Sequence, residues 1–115
     1  MTASAAIALK AQLRADLKIA MRAQRREETQ LLRLLIAAVD DAEAVPAPEG
    51  GYITRAFEEG SAEVPRRKVT AEMLQAILQH EFDARHAAAD AMDRIARADR
   101  AGALRFQAAI VARYL

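Results

Sequence analysis

The feature that most constrains this chain is the apolar run QLLRLLIAAVDDAEA, which covers residues 30–44. At helical spacing the run forms one apolar row with two neighbours beside it, and Leu34 and Ile36 widen that face. The row consists of Leu31, Leu35, Ala38 and Ala42, and the neighbours are Leu32 and Val39. A helix that is buried on one side only has an apolar stripe of roughly 100°. This stripe is wider, so the run predicts a central helix that packs between two others.

The composition favours one all-helical domain. A chain of 115 residues is long enough to bury one core but not two. Hydrophobic residues make up 53% of it, and many of them are alanines, which favour helices and close packing. Aromatic residues make up only 4%, which argues against a sheet-rich fold. The absence of cysteine excludes disulfides, thiolate metal sites and a thiol nucleophile.

The charge and the apolar runs limit the classes of partner. The formal net charge is +1, so a dedicated nucleic-acid binder is not indicated, although a local basic patch is compatible with it. The N-terminal segment lacks the basic start of a signal peptide. No stretch approaches the roughly 20 apolar residues of a membrane span. We therefore expect a soluble, cytoplasmic protein with no membrane partner, no metal and no cofactor.

Four principal helices are predicted, arranged as two helical hairpins within a single domain, residues 1–115. Ser4 caps the first helix, and the polar stretch RAQRREE at residues 22–28 is a turn into the central one. Thr70 caps the third helix, whose apolar row ends at Ile95. The pattern then breaks, and Asp99 is expected to cap a last helix with Phe106, Ile110, Val111 and Tyr114 on its core face. A long loop at about residues 45–69 holds all three prolines, with a short helix at about residues 53–59.

The most informative charged residues are Glu81 and Arg85, which fall in the middle of the apolar row of the third helix. They are four residues apart with the acid first, the favourable order for a helical ion pair. Two interpretations stay open: an ion pair that fixes helix register, or a charged pair that lines a groove or subunit interface. Arg33, on the polar face of the central helix, is likewise either a solvated arginine or a binding residue.

The sequence also contains one basic and one acidic cluster that could form binding sites. Arg66, Arg67 and Lys68 form the only basic triplet and are a weak candidate for phosphate or nucleic-acid contact, since no aromatic residues are interleaved. The acidic cluster of residues 40–43 is either a solvated helix end or a partner for that triplet. His80 and His86 fall on opposite sides of the third helix, so they do not share a metal ion within it. No catalytic constellation is predicted.

Several blocks of the sequence resemble the YqeY-like family, which is related to the C-terminal part of the B subunit of glutamine-dependent tRNA amidotransferases. Residues 13–21 match its D-L-x-x-A-M signature, and LRLLIAA at residues 32–38 matches L-R-L-L-x-A-A. Residues 69–92 resemble the family's second long helix, with Leu78, Glu81 and Arg85 in register, and the ending IVARYL resembles its closing helix.

This resemblance implies an all-helical bundle, although the chain differs from the family pattern at several positions. At the turn between the first two helices, family members usually have an acidic residue and, three residues later, a basic one, but here these positions hold Arg25 and Glu28. In the third helix, the family's usual R-R-E-S is reduced to Arg85 followed by HAA. Full-length members continue past a position like Leu115 into a tail domain that is associated with tRNA in the amidotransferase subunit. The resemblance therefore implies a short variant without that tail.

Three functional hypotheses follow. The first is a non-catalytic helical interaction module that acts through a protein or tRNA partner. The second, from the resemblance alone, is carbon–nitrogen ligase activity with glutamine as amide donor. The third is a self-associating structural protein whose alanine-rich faces form a homo-oligomer.

Overall fold

The computed structural model describes residues 4–44 and 68–115, and this part of the chain is an all-α bundle of four helices. The helices are α1 (Ala5–Arg22), α2 (Arg26–Glu43), α3 (Ala71–Arg94) and α4 (Ala98–Ala112). α1 packs along α2 and α3 packs along α4, so the two predicted hairpins are confirmed. Nearly all of the expected loop at 45–69, with its short helix, lies outside the described residues.

Hydroxyl side chains cap the first helix of each hairpin, as the sequence predicts. The backbone N–H of Ile7 donates to Ser4 Oγ at 3.1 Å, and the N–H of Met73 donates to Thr70 Oγ1 at 3.2 Å. Each bond satisfies a first-turn donor that has no partner within its own helix. These caps fix where the two hairpins begin.

Both hairpins turn with the same backbone geometry. Gln24 and Ala96 have φ values of 58° and 59°, in the left-handed region. In each turn the N–H of the next residue, Arg25 or Arg97, bonds back to the carbonyl five residues earlier, at 2.9 and 2.8 Å. This is a Schellman motif, which normally takes glycine at the left-handed position. Here it ends α1 and α3 without glycine.

α2 is the central helix of the bundle, as its wide apolar stripe predicts. It contacts α1, α3 and α4. Leu32 is fully buried in the main core, where side chains of all four helices meet. That core comprises Leu13, Ala20, Leu31, Leu32, Leu35, Leu78, Ile110, Val111 and Tyr114. A second cluster lies near the start of α1 and α3 and comprises Ala6, Val39, Val69 and Leu74.

Three residues predicted to be apolar core are exposed instead. Leu34 is 44% exposed and lines a small surface pocket together with the polar side chains of Arg85 and Gln107. Phe106 is 51% exposed because it lies roughly 160° around α4 from the fully buried Ala108. Ile95 is 62% exposed because it is the C-cap residue of α3, where the packed face ends.

The predicted start of the last helix is also wrong. α4 begins at Ala98 with Arg97 in the N-cap position, and Asp99 lies within its first turn. The Asp99 carboxylate accepts a hydrogen bond from Arg97 Nε at 3.3 Å, which, together with bonds from backbone N–H groups, lowers the pKa of Asp99. Asp99 therefore stabilises the helix N-terminus from inside the helix.

A side-chain hydrogen bond joins the end of the chain to the first helix. The Tyr114 hydroxyl donates to Asp16 Oδ2 at 2.5 Å, and burial together with this bond raises the pKa of Tyr114. Near it, Arg113 Nη2 donates to Glu28 Oε1 at 3.3 Å, which ties the end of α4 to the start of α2. The C-terminal residues thus hold the two hairpins together.

Candidate interaction surface

Glu81 and Arg85 form the ion pair that their spacing predicts, on the packed side of α3. Arg85 Nη1 lies 3.5 Å from Glu81 Oε2, and their side chains are only 13% (Arg85) and 19% (Glu81) exposed. Arg85 also donates to the Glu81 carbonyl at 3.0 Å and, through Nε, to Gln107 Oε1 at 3.1 Å. Gln107 in turn donates to Glu27 Oε1 at 3.2 Å. The pair therefore belongs to a polar chain that connects α3, α4 and α2.

We expect Glu81→Ala to lower the free energy of unfolding by about 1 kcal/mol. This exceeds the roughly 0.5 kcal/mol of an exposed helical pair, because both side chains are mostly buried. It stays below the 3–5 kcal/mol of a fully buried pair, because Arg85 keeps its bonds to Gln107 and the Glu81 carbonyl. The matched control is Asp83→Ala, which removes the exposed Gln79–Asp83 hydrogen bond on the same helix. Equal urea midpoints for the two variants would contradict the prediction.

A groove runs between the C-terminal half of α2 and the N-terminal half of α3, and we call it the α2–α3 groove. Its volume is about 530 Å³. The residues that line it are Ala38, Asp41, Ala42, Ala76, Ile77, His80 and Glu81. The apolar part of the lining, which we call the floor, consists of three alanines and Ile77. Glu81 therefore contributes both to the ion pair and to the lining of a groove.

The charged side chains of the α2–α3 groove are mainly acidic. Asp41 is exposed and has no cationic partner among the described residues. Glu81 is partly compensated by Arg85, whose side chain lies outside the groove lining. His80 is the one basic side chain among the lining residues. The groove thus combines a small apolar floor with an acidic edge.

The structure does not bring all of the predicted site residues together. Arg33 lies outside the groove lining, nearer the start of α2, where its Nη2 is 3.8 Å from Met21 Sδ of α1. Lys68 is exposed just before α3. Arg66 and Arg67 lie outside the described residues. His86 faces Phe82 with ring centroids 4.6 Å apart, so it is separate from His80 in the groove.

A partly buried charged cluster that the sequence analysis missed joins α1 to the end of α2. Lys10 is 8% exposed, and its Nζ donates to Asp40 Oδ1 at 3.0 Å and to Glu43 Oε1 at 2.5 Å. These bonds raise the pKa of Lys10, the Glu43 bond most strongly, against the opposing effect of burial. The expectation of a solvated helix end is therefore wrong for Glu43, which is 8% exposed.

The signal for this cluster was present in the pattern. Lys10 is three residues before Leu13, on the apolar row of α1, and Glu43 is four residues after Val39, on the buried row of α2. Two opposite charges on apolar rows of adjacent antiparallel helices can pair at the far end of the hairpin. Predicting this ion pair requires knowing that α1 packs against α2 and comparing the apolar rows of the two helices.

Within residues 4–44 and 68–115, no three side chains of histidine, aspartate or glutamate are grouped so that they could hold a metal ion. None of the four helices is long and apolar enough to span a bilayer.

Comparisons with protein-family models, with curated proteins and with solved structures found no match to this chain. The resemblance to the YqeY-like family therefore stays a prediction.

Proposed function

We propose that this chain is a non-catalytic helical interaction module of the YqeY-like kind, and that its α2–α3 groove binds an amphipathic helix with a basic edge from a partner protein. The observation that carries the proposal is the combination of a small apolar floor with an acidic edge. Helices commonly bind in grooves of this type by placing apolar side chains against the floor.

The floor suits a helix because its side chains are small. Three alanines, Ala38, Ala42 and Ala76, line the groove, and Ile77 adds a larger apolar contact. Small side chains allow the backbone of a docked helix to approach closely, and the leucines or alanines of that helix then lose their contact with water. Burial of apolar surface of this kind contributes about 25 cal/mol per Å².

The acidic edge selects the charge of the partner. Asp41 lies on one side of the groove and Glu81 on the other, so a helix between them passes two carboxylates. Lysines or arginines along its edges would pair with them, whereas glutamates would be repelled. Such complementarity mainly sets specificity and association rate.

The proposal is tested by fluorescence anisotropy with a labelled amphipathic peptide of alanine, leucine and lysine. A peptide in which glutamate replaces every lysine is the charge control. We expect Ala76→Arg to weaken binding of the basic peptide at least tenfold, about 1.4 kcal/mol, because the arginine fills the groove and repels the probe. Ala15→Arg, at an exposed alanine of α1, is the matched control and should bind like the parent.

Two results would contradict the proposal. One is equal binding of the basic and acidic peptides by the parent protein. The other is an Ala76→Arg variant that keeps the helical circular dichroism and the peptide affinity of the parent. A partner helix of this chemistry would then not bind in the α2–α3 groove.

The tRNA-linked and carbon–nitrogen ligase hypotheses are supported by the family resemblance alone. Labelled bulk tRNA in the same titration, over a salt series, tests the first of them. If the basic triplet contacts RNA, reversing Arg66, Arg67 and Lys68 should reduce the log–log salt slope by about 2–3. The self-association hypothesis is tested by the dependence of light-scattering mass on protein concentration.

A further inference from the structure

A second groove lies beside the turn between α1 and α2, at the N-terminal half of α2, whereas the α2–α3 groove lies at its C-terminal half. We call it the elbow groove. Its volume is about 430 Å³, and it is lined by Met21, Gln24, Arg26, Thr29, Gln30 and Arg33. This size falls within the roughly 300–1,000 Å³ of typical small-molecule sites. Apart from Met21, every lining residue carries a hydrogen-bonding side chain.

The two arginines of the elbow groove are not neutralised. Neither Arg26 nor Arg33 has a carboxylate partner among the described residues, and Arg33 contacts only the uncharged sulfur of Met21. Several other exposed arginines, such as Arg14, also have no carboxylate partner among the described residues, but Arg26 and Arg33 share the lining of one groove. Two guanidinium groups in one groove therefore have hydrogen-bond donors available for an anion.

The nearest acidic residues in the sequence, Glu27 and Glu28, do not compensate these arginines. Glu28 is buried and pairs with Arg113 at 3.3 Å and with Arg25 at 3.6 Å. Glu27 accepts a hydrogen bond from Gln107 of α4. Both carboxylates are thus engaged away from the lining of the elbow groove, which stays positively charged.

We propose that the elbow groove binds a small ligand that carries two linked phosphate groups. Arginine forms bidentate hydrogen bonds with phosphate, and each guanidinium can hold one phosphate group. Arg26 and Arg33 are two turns apart on α2, roughly 10 Å along the axis, so they suit a ligand with two anionic groups better than a single phosphate. The Thr29 hydroxyl and the amides of Gln24 and Gln30 supply further donors.

The chemistry fits both inorganic pyrophosphate and a nucleoside diphosphate, and the experiment separates them. Isothermal titration calorimetry is performed at low salt with pyrophosphate, with ADP and with a short oligoribonucleotide. Equal affinity for pyrophosphate and ADP assigns binding to the phosphates alone. Tighter binding of ADP than of pyrophosphate indicates an additional contact between the protein and the nucleoside. Either result supports the proposal.

The variants locate the site. We expect Arg26→Gln and Arg33→Gln each to weaken binding at least about tenfold, since each removes charge-assisted hydrogen bonds. Arg14→Gln, at an exposed arginine of α1 outside the groove, should bind like the parent. The proposal is overturned if neither pyrophosphate nor ADP binds, if only the oligoribonucleotide binds, or if all three variants bind alike. Because it involves a different face of α2, its failure leaves the peptide test of the α2–α3 groove unaffected.

Discussion

Lys10→Met is expected to lower the free energy of unfolding by about 3 kcal/mol at neutral pH, the low end of the range for breaking a buried ion pair. The substitution keeps the length and the apolar stem of the side chain but removes the ammonium that holds Asp40 and Glu43. Urea denaturation followed by circular dichroism measures the change. Lys18→Met, at an exposed lysine of the same helix, is the control and should stay within about 0.5 kcal/mol of the parent.

The pH dependence of this difference has a definite sign. The pKa of Lys10 in the folded protein is raised above its ordinary value of 10.5. A raised pKa means that the stabilisation is fully present below about 10.5 and is lost as the pH rises through the folded-state pKa. The gap between parent and Lys10→Met should therefore be constant from neutral pH to about pH 9.5 and shrink at higher pH. A gap that widens above pH 10.5 would contradict the assigned ion pairs.

Leu32→Ala is expected to lower the free energy of unfolding by about 3 kcal/mol, because Leu32 is fully buried where all four helices meet. The loss combines the transfer of the removed atoms with the cavity that remains, a total of 2–5 kcal/mol at sites of this kind. Urea or thermal unfolding measures the effect. No substitution of a partly exposed residue should destabilise the bundle as much.

Leu34→Ala is the matched control, because it makes the same chemical change two residues away. Leu34 is 44% exposed, so its truncation should cost well below 1 kcal/mol. The two leucines are equivalent in a simple count of apolar residues. Comparable losses for Leu32→Ala and Leu34→Ala would show that the register of α2 in the bundle is different from the one described.

The fold could be predicted from the sequence because helix periodicity and capping are local signals. The hydroxyls of Ser4 and Thr70 mark two helix starts directly, and the breadth of the apolar stripe on α2 indicates a helix packed on several sides. The turns were harder to place, because Gln24 and Ala96 take left-handed conformations that are normally marked by glycine. Polar composition revealed the first turn, and a break in periodicity revealed the second only to within a few residues.

The details that could not be predicted depend on which helices meet. Leu34 lies on an apolar row, yet it lines a surface pocket that Arg85 and Gln107 of other helices complete. Phe106 is a large apolar residue, yet it lies outside the packed face of α4, whose buried residues are Ala101, Ala108, Ile110 and Val111. Lys10 pairs with residues about thirty positions away, and this contact follows from the length of the hairpin rather than from any local motif.

The candidate sites were predictable to different degrees. The position of Glu81 and Arg85 on the packed side of α3 is confirmed, because an interval of four residues fixes the geometry within one helix. The contribution of Glu81 to the edge of the α2–α3 groove could not be predicted from α3 alone, because α2 forms the other side of the groove. Arg33 was identified as a single polar-face arginine, and its grouping with Arg26 and Met21 depends on the fold of the α1–α2 turn.

The most direct test of the interaction-module account is the residue-resolved binding site of the basic amphipathic peptide on the ¹⁵N-labelled protein, measured by NMR chemical-shift perturbation. The account predicts that the largest shifts lie at Ala38, Asp41, Ala42, Ala76 and His80, on both sides of the α2–α3 groove. They should disappear in Ala76→Arg and persist in Ala15→Arg. Shifts centred on the exposed face of α1, or no saturable shifts at all, would contradict it.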